Sequence, residues 1–369
     1  MGEMRPDMVL QTLRREGFEA WYVGGCVRDS LLDRPIHDWD VTTSALPEQV
    51  MACFDRCIPT GLQHGTVTVL WEQGQVEVTT YRTDGDYPDG RHPAQVTFVR
   101  SLKEDLARRD FTVNAMAMDE TGNIVDLYGG RDDLKAKILR CVGEPEKRFR
   151  EDALRMLRAI RFSAQLDFAV ESHTSAAMEN LRHLCHGLSA ERIRDELEKT
   201  LLSGHPERVE AIAALELPEI YGLKPGVDCQ WLSGLPAERI VRWAGLCRLQ
   251  PNLDLTALRL DKVTAQDAMT AGRLEFPSDT LGWKHFVAAH GPRRASVAAA
   301  LAGEQALMEQ ILNSGDCLCL KDLAVSGRDF PRLQGKALGE HLQRLLYHVL
   351  AHPADNRQEI LKKISQNSQ

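Results

Sequence analysis

No run of apolar residues in this chain of 369 approaches the roughly 20 needed to cross a bilayer, so no membrane-spanning helix is expected. The opening stretch MGEMRPDMVLQTLRREG carries charges where a secretory leader has its apolar segment, which points to a cytoplasmic location. Zinc-ribbon spacing is missing too. The nine cysteines are scattered, and neither Cys53-x3-Cys57 nor Cys317-x-Cys319 has a matching second pair. Such unpatterned cysteines fit free thiols in a reducing compartment rather than a disulfide framework. Positive charge is not in excess: the net charge is −8, awkward for a protein that grips phosphates. Net charge describes the whole chain, however, and local patches can carry the opposite sign. Arg148, Arg150, Arg155, Arg158 and Arg161 lie close together, and the stretch from Pro331 onward is locally basic. No convincing internal repeat is found.

What is present is ordinary for a folded protein: 43% hydrophobic and 27% charged residues. The length exceeds one typical core, so two or more domains are expected. The first part reads as mixed α/β. Ala20 to Val23 is a short apolar strand ended by Gly24-Gly25, and Val27 to Leu32 reads as a short helix. Thr66 to Leu70 and Val76 to Tyr81 are β-branched strands joined by a turn at Gln73-Gly74-Gln75. A Gly-, Asp- and Pro-rich loop follows between Arg82 and Pro93. After about Leu139 the strand signal fades. Ala153, Met156, Leu157 and Ile160 give helical spacing over 151–162, and Ser189 precedes a further helix. The remainder is helical periodicity broken by segments such as Gly222-Leu223-Lys224-Pro225-Gly226.

Asp38-Trp39-Asp40 runs into Val41-Thr42-Thr43. In a strand, side chains at i and i+2 share a face. Two carboxylates side by side repel unless a cation sits between them, and hard oxygen ligands suit magnesium. The chemistry served by such a pair is in-line phosphoryl or nucleotidyl transfer. Glu77 alternates with Val76 and Val78, so it is placed to supply a third carboxylate to the same cleft. Gly24-Gly25, entering a helix, is a candidate phosphate cradle, with Arg28 in its first turn. An isolated Asp-x-Asp is a weak signal. The order strand, Gly-Gly, helix, Asp-x-Asp, hairpin with Glu is a much stronger one.

Gly24-Gly25-x-Val27-Arg28-Asp29, with Asp38-x-Asp40, resembles motif A of class II tRNA nucleotidyltransferases, the CCA-adding enzymes and bacterial poly(A) polymerases. Arg108-Arg109-Asp110-Phe111-Thr112-Val113-Asn114-Ala115 resembles motif B, and Asp126-x-x-Gly129-Gly130-x-x-Asp133-Leu134 motif C. Glu151-Asp152-x-x-Arg155-x-x-Arg158 resembles motif D, and Glu191-Arg192-Ile193 with Glu196-Leu197 motif E. The departures are small: Asp33 stands where many members have Gly, and Val113 replaces a common Ile or Met. The resemblance implies an α+β chain: a nucleotidyltransferase head with a mixed β-sheet (1–139), then an all-α neck (140–205), body (206–275) and tail (276–369).

The same resemblance implies catalysis by Asp38, Asp40 and Glu77 with Mg2+ on the two aspartates, and nucleotide contacts from Gly24, Gly25, Arg28, Arg109, Asp110, Asn114, Asp152, Arg155 and Arg158. Asp152 and Arg155 are implied to pair with the incoming base. Cytosine and adenine both present an amino donor beside a ring-nitrogen acceptor, which a carboxylate and a guanidinium complement; uracil and guanine present the reverse. The implied substrates are CTP, ATP and the tRNA 3′ end, with no membrane and no protein partner. Asp84, Tyr87, Asp89, Gly90, Arg91 and Pro93 form a full-length loop, unlike CC-only members. Pro59 to Thr66 resembles the CCA-adding form rather than the basic stretch of the poly(A) polymerases. No residue excludes an A-only enzyme. No later His-Asp pair marks an attached phosphohydrolase. A non-catalytic RNA-binding relative would have lost Asp38, Asp40 or Arg155, and an enzyme acting on a small molecule would not need the base-reading pair.

Overall fold

The computed structural model describes residues 6–71, 74–85 and 96–367. These fall into two compact units: 1–200 with 211–218, and 201–210 with 219–369. The first unit opens with helix α1 (Asp7–Arg15) and strand β1 (Ala20–Val23), followed by α2 (Gly25–Leu31), β2 (Trp39–Thr43) and α3 (Pro47–Cys53). A run of strands follows: β3 (Cys57–Gly61), β4 (Thr66–Trp71), β5 (Gly74–Thr80), β6 (Arg82–Asp84) and β7 (Val96–Phe98). Then come α4 (Leu102–Ala107), β8 (Met116–Met118), β9 (Ile124–Asp126), α5 (Gly130–Ala136) and β10 (Ile138–Leu139). Helices α6 (Pro145–Glu151) and α7 (Leu154–Leu166), strand β11 (Ala169–Val170), and helices α8 (Ser172–Leu181) and α9 (Ala190–Leu201) complete the labelled elements.

Seven strands form one mixed sheet in the order β3-β4-β5-β2-β1-β8-β9. The β2–β5 pair is parallel and its neighbours are antiparallel. The parallel register sets Asp40 opposite Glu77, Val41 opposite Val78 and Thr42 opposite Thr79. Because side chains alternate, the sheet has two distinct faces. Trp21 is paired with Thr42 and Tyr22 with Val41, so Asp40, Thr42, Glu77, Trp21 and Val23 share one face. Helix α4 covers part of it: Leu106, Val23 and Ala117 are buried together, with Leu102, Trp21, Val125 and Tyr128 packed around them. Tyr22 and Trp39 lie on the other face with ring centroids 4.7 Å apart, and the Tyr22 hydroxyl donates to Asp7 Oδ1 at 2.9 Å.

The even helical spacing over 151–162 predicts one helix, but two are found, broken at Asp152. The physical reason is local. Asp152 takes an extended backbone, φ −150° and ψ 106°, and its Oδ1 accepts the Leu154 N–H at 3.0 Å, replacing a helical bond. Helix α7 is also buried on more sides than its apolar stripe implies, with Leu154, Arg155, Met156, Leu157 and Arg161 all buried. The expected turn at Gln73 and the loop residues Tyr87, Asp89, Gly90, Arg91 and Pro93 lie outside the described residues.

Among the described residues of the second unit no strand forms; its regular elements are helices, the long ones including Arg239–Leu249, Lys262–Arg273, Pro292–Ala302 and Gly335–Ala351. Trp243 and Trp283 are fully buried there, and small residues Ala295, Ala298 and Ala299 are buried along one of its helices. Among the described residues no helix is long and apolar enough to cross a membrane.

Gly130 opens α5 where an added Cβ would sit 2.3 Å from the Thr112 carbonyl oxygen and 2.9 Å from Met116. Gly130→Ala is therefore expected to destabilise the first unit by about 2 kcal/mol in urea unfolding, whereas Gly187→Ala, with open space around it, should shift it by less than about 0.5 kcal/mol.

Candidate active site

A cavity of about 370 Å3 opens where β1, β2, α2 and α7 converge. Gly24, Gly25 and Arg28 line it from the β1–α2 turn, and Asp38 and Asp40 from the start of β2. Arg109, Asp110 and Asn114 enter from the segment after α4, and Arg158, Arg161 and Phe162 from α7. Gly24 has φ +77°, a left-handed conformation that suits glycine. A Cβ there would lie 3.2 Å from Arg109 Nη1 and 3.6 Å from Asp40 Oδ2, so the bare backbone lets both groups approach the turn.

Asp40 lies beside Glu77 in the sheet register, and both fall on the face where Asp38 precedes the strand. Burial pushes the Asp40 carboxyl up to about 6; Arg109 pulls it down, while Glu77 and Asp38 push it further up. Burial is thus the main cause of the raised carboxyl, and the two acidic neighbours add to it. Asp38 and Glu77 are exposed. The ligand atoms that do close within 4.8 Å among the described residues belong to a different, largely exposed group, Glu144, Glu146 and His173. Distance alone therefore favours that group, but exposed acids of this kind are common. The raised Asp40 carboxyl, its two acidic neighbours and the adjoining cavity make the β2–β5 site the better fit for a divalent cation.

The opposite wall is a bonded network. Arg28 grips Asp29 with two hydrogen bonds, Nε to Oδ1 at 2.9 Å and Nη2 to Oδ2 at 2.8 Å, and donates from Nη1 to Asn114 Oδ1 at 2.7 Å. Asn114 Nδ2 donates to Asp110 Oδ1 at 3.2 Å. Arg158 donates to Asp110 Oδ2 from Nε at 2.8 Å and Nη2 at 2.6 Å. Burial would raise the Asp110 carboxyl, but Arg158 and Asn114 outweigh it and hold it down to about 2. Three guanidiniums face the Phe162 ring: Arg28 at 5.1 Å, Arg158 at 5.2 Å and Arg161 at 3.9 Å.

Asp152 and Arg155 do not line this cavity. Asp152 Oδ2 accepts from Arg192 Nη2 at 2.6 Å. Arg155 Nη1 donates to Glu151 Oε2 at 2.5 Å and to the Arg148 carbonyl at 3.1 Å, and its Nη2 donates to the Arg108 carbonyl at 3.2 Å. Glu151, Arg148 and Arg108 instead line a larger neighbouring cleft of about 780 Å3, which holds none of the carboxylates of β2 and β5. Sequence reasoning missed Arg161 and Phe162 as lining residues. The signal for Arg161 was present, since it continues the spacing of three set by Arg155 and Arg158.

Residues 20–140 match the family described as the poly A polymerase head domain, and residues 167–219 that described as a probable RNA and SrmB- binding site of polymerase A. The chain is similar to the CCA-adding enzyme of Geobacillus kaustophilus, 39% identical over 95% of this chain and 93% of that protein. It is 56% identical to the CCA-adding enzyme of Lactobacillus helveticus over a shorter region, which spans 53% of this chain and about half, 49%, of that relative. Among solved structures it resembles the Bacillus stearothermophilus CCA-adding enzyme in complex with CTP, with a TM-score of 0.84, 34% identity, and coverage of 99% of this chain and 98% of that one. The fold is shared with the Thermotoga maritima CCA-adding enzyme complexed with tRNA, at a TM-score of 0.62 and 20% identity over 99% of this chain and 97% of that one.

The Asp40 carboxyl, raised from its ordinary 3.8 to about 6, carries a stability cost with a definite sign. The folded state binds the proton more tightly than the unfolded chain, so stability falls as pH rises through that window and the loss is complete above it. Asp40→Asn is expected to melt higher than the parent in chelator at about pH 7.5, by on the order of 1–2 kcal/mol after allowing for solvent screening, with the gain fading below about pH 5. A pH series of thermal melts checks this.

Proposed function

The chain belongs to the class II tRNA nucleotidyltransferases, the CCA-adding enzyme family, and on that premise we propose that it adds C, C and A to the 3′ end of tRNA from CTP and ATP without a nucleic-acid template. The observation that carries the proposal is the placement of Asp40 beside Glu77, at the edge of a cavity whose far wall is arginine-rich. Asp38 and Asp40 are the residues that would hold Mg2+, with Glu77 as the third carboxylate. Bound there, the ion supplies charge neutralisation for the triphosphate and a lowered pKa for the attacking 3′ hydroxyl.

The chain's own groups do the rest. Gly24, Gly25 and Arg28 bind the triphosphate at the turn. Arg109, Asp110 and Asn114 orient ribose and phosphates; the tight hold of Arg158 on Asp110 keeps that wall rigid. Asp152 and Arg155 read the base. In doing so they exchange the Arg192 and Glu151 contacts for an amino donor and a ring-nitrogen acceptor, so cytosine and adenine give both side chains a complementary partner. Uracil and guanine would set a carbonyl against Asp152 and a ring N–H against Arg155, which is the basis for rejecting them. The proposed organisation is a catalytic head at 1–139, a base-selecting neck at 140–205, a body at 206–275 and a tail at 276–369 that holds tRNA through its phosphates and shape. A cytoplasmic location goes with that substrate.

Single-nucleotide extension tests the proposal. With tRNAs ending at the discriminator base, at C and at CC, and with CTP and ATP supplied separately, C should add to the first two and A only to the third. Incorporation of A alone, with no C on any primer, or of a long A tail, would replace full CCA addition with A-only or poly(A) synthesis. Asp40→Ala should abolish extension, and activity surviving in it would sink the metal assignment. Arg155→Ala should raise misincorporation of U and G by at least about tenfold relative to C and A. Unchanged selectivity with only a slower rate would contradict base reading by this side chain.

A further inference from the structure

Asp105, on α4, is fully buried and lies outside the residues assigned to nucleotide chemistry. Burying a carboxylate is costly unless it is fully bonded. Asp105 meets that condition on both oxygens. Oδ1 accepts from Arg108 Nε at 3.0 Å, Arg108 Nη2 at 2.8 Å and the Arg82 backbone N–H at 3.4 Å. Oδ2 accepts from Arg109 Nη2 at 3.3 Å and lies 3.2 Å from the Thr42 hydroxyl, which it shares with the Thr79 carbonyl. Burial would raise this carboxyl, but Arg108 and Arg109 outweigh it and hold it lowered, so it is ionised at neutral pH.

The position of the partners matters more than their number. Thr42 is two residues beyond Asp40 on the same face of β2. Arg82 begins the strand that follows the Glu77 strand. Arg109 spans the distance: its Nη2 is on Asp105, while its Nη1 approaches Gly24, beside Asp40 Oδ2. Its Nε is buried without a hydrogen-bond partner, and the Asp105 contact fixes where this guanidinium sits.

We propose that Asp105 is a positioning residue for the nucleotide site, acting by holding Arg109 against the Gly24 turn. The proposal rests on the reading of Arg109 as a nucleotide-binding group and adds the residue that aims it. A carboxylate on the rigid α4–sheet core ties the arginine to the same strand that carries Asp40, so cation and triphosphate groups keep one spacing.

A double-mutant cycle tests this, with steady-state addition to tRNA lacking CCA and thermal melts of every variant. Asp105→Asn is expected to raise KM for CTP and ATP about tenfold while kcat stays within about threefold. In an Arg109→Ala background, Asp105→Asn should add no further KM effect. If the two effects multiply, or if folded Asp105→Asn keeps the parent KM and only melts earlier, Asp105 is a structural residue and the inference fails. If Arg109→Ala itself leaves KM unchanged, the Arg109 assignment fails and takes the inference with it, an outcome distinct from the previous one. Should Asp105→Asn give no cooperative melt, Asp105→Glu, which keeps the charge but lengthens the arm, is read by the same criteria.

Discussion

The parallel register of β2 against β5 is the constraint on which the site depends. It sets Asp40 level with Glu77 on one face of the sheet, an arrangement that electrostatics alone opposes. The register is held from the other face. Val41 pairs with Val78, both are buried, and a slip of one residue would bring Asp40 into that apolar layer. Hydrophobic burial thus enforces a crowding of charge that the carboxylates would not choose. The Asp40 carboxyl is raised chiefly by its own burial, with Glu77 and Asp38 adding to the rise. Sites that break a local rule in this way and are supported by their surroundings are where function is expected.

Around that crowded edge the remaining charges are locked in place. Asp110 is held by Arg158 and Asn114, Arg28 by Asp29 and Asn114, and Arg109 by Asp105. Buried ion pairs add little net stability, because desolvation offsets much of their attraction. What they contribute is geometry. Phe162 packs against the guanidiniums of Arg28, Arg158 and Arg161 and gives them a common apolar surface. Asp152 and Arg155 follow the same rule: each is bonded, to Arg192 and to Glu151.

Much of this was legible in the residues. The Gly-Gly turn, Asp-x-Asp at a strand start and the alternation of Glu77 with two valines rest on short-range rules of period and turn chemistry, and the structure places all three as those rules imply. The change from mixed sheet to helices was legible for the same reason. The break at Asp152 was not, because one side-chain bond to the Leu154 N–H overrides a spacing that fits a continuous helix. The burial of Arg161 and of Asp105 was missed for a different reason. Their burial depends on partners far along the chain, Glu196 for one and Thr42 for the other, and charge at helical spacing reads as solvated until those partners are known. The net charge of −8 gave no guide to a cavity lined by four arginines.

The claim that crowded carboxylates on β2 and β5 are built for a divalent cation is tested most directly by proton release. A Mg2+ titration of the tRNA-free protein at about pH 6, followed in buffers of different ionisation enthalpy, should release protons as the ion binds, because a carboxyl raised toward that pH must ionise to become a ligand. Asp40→Asn should bind more weakly and release none. Mg2+ binding without proton release, or undiminished release from Asp40→Asn, would contradict it.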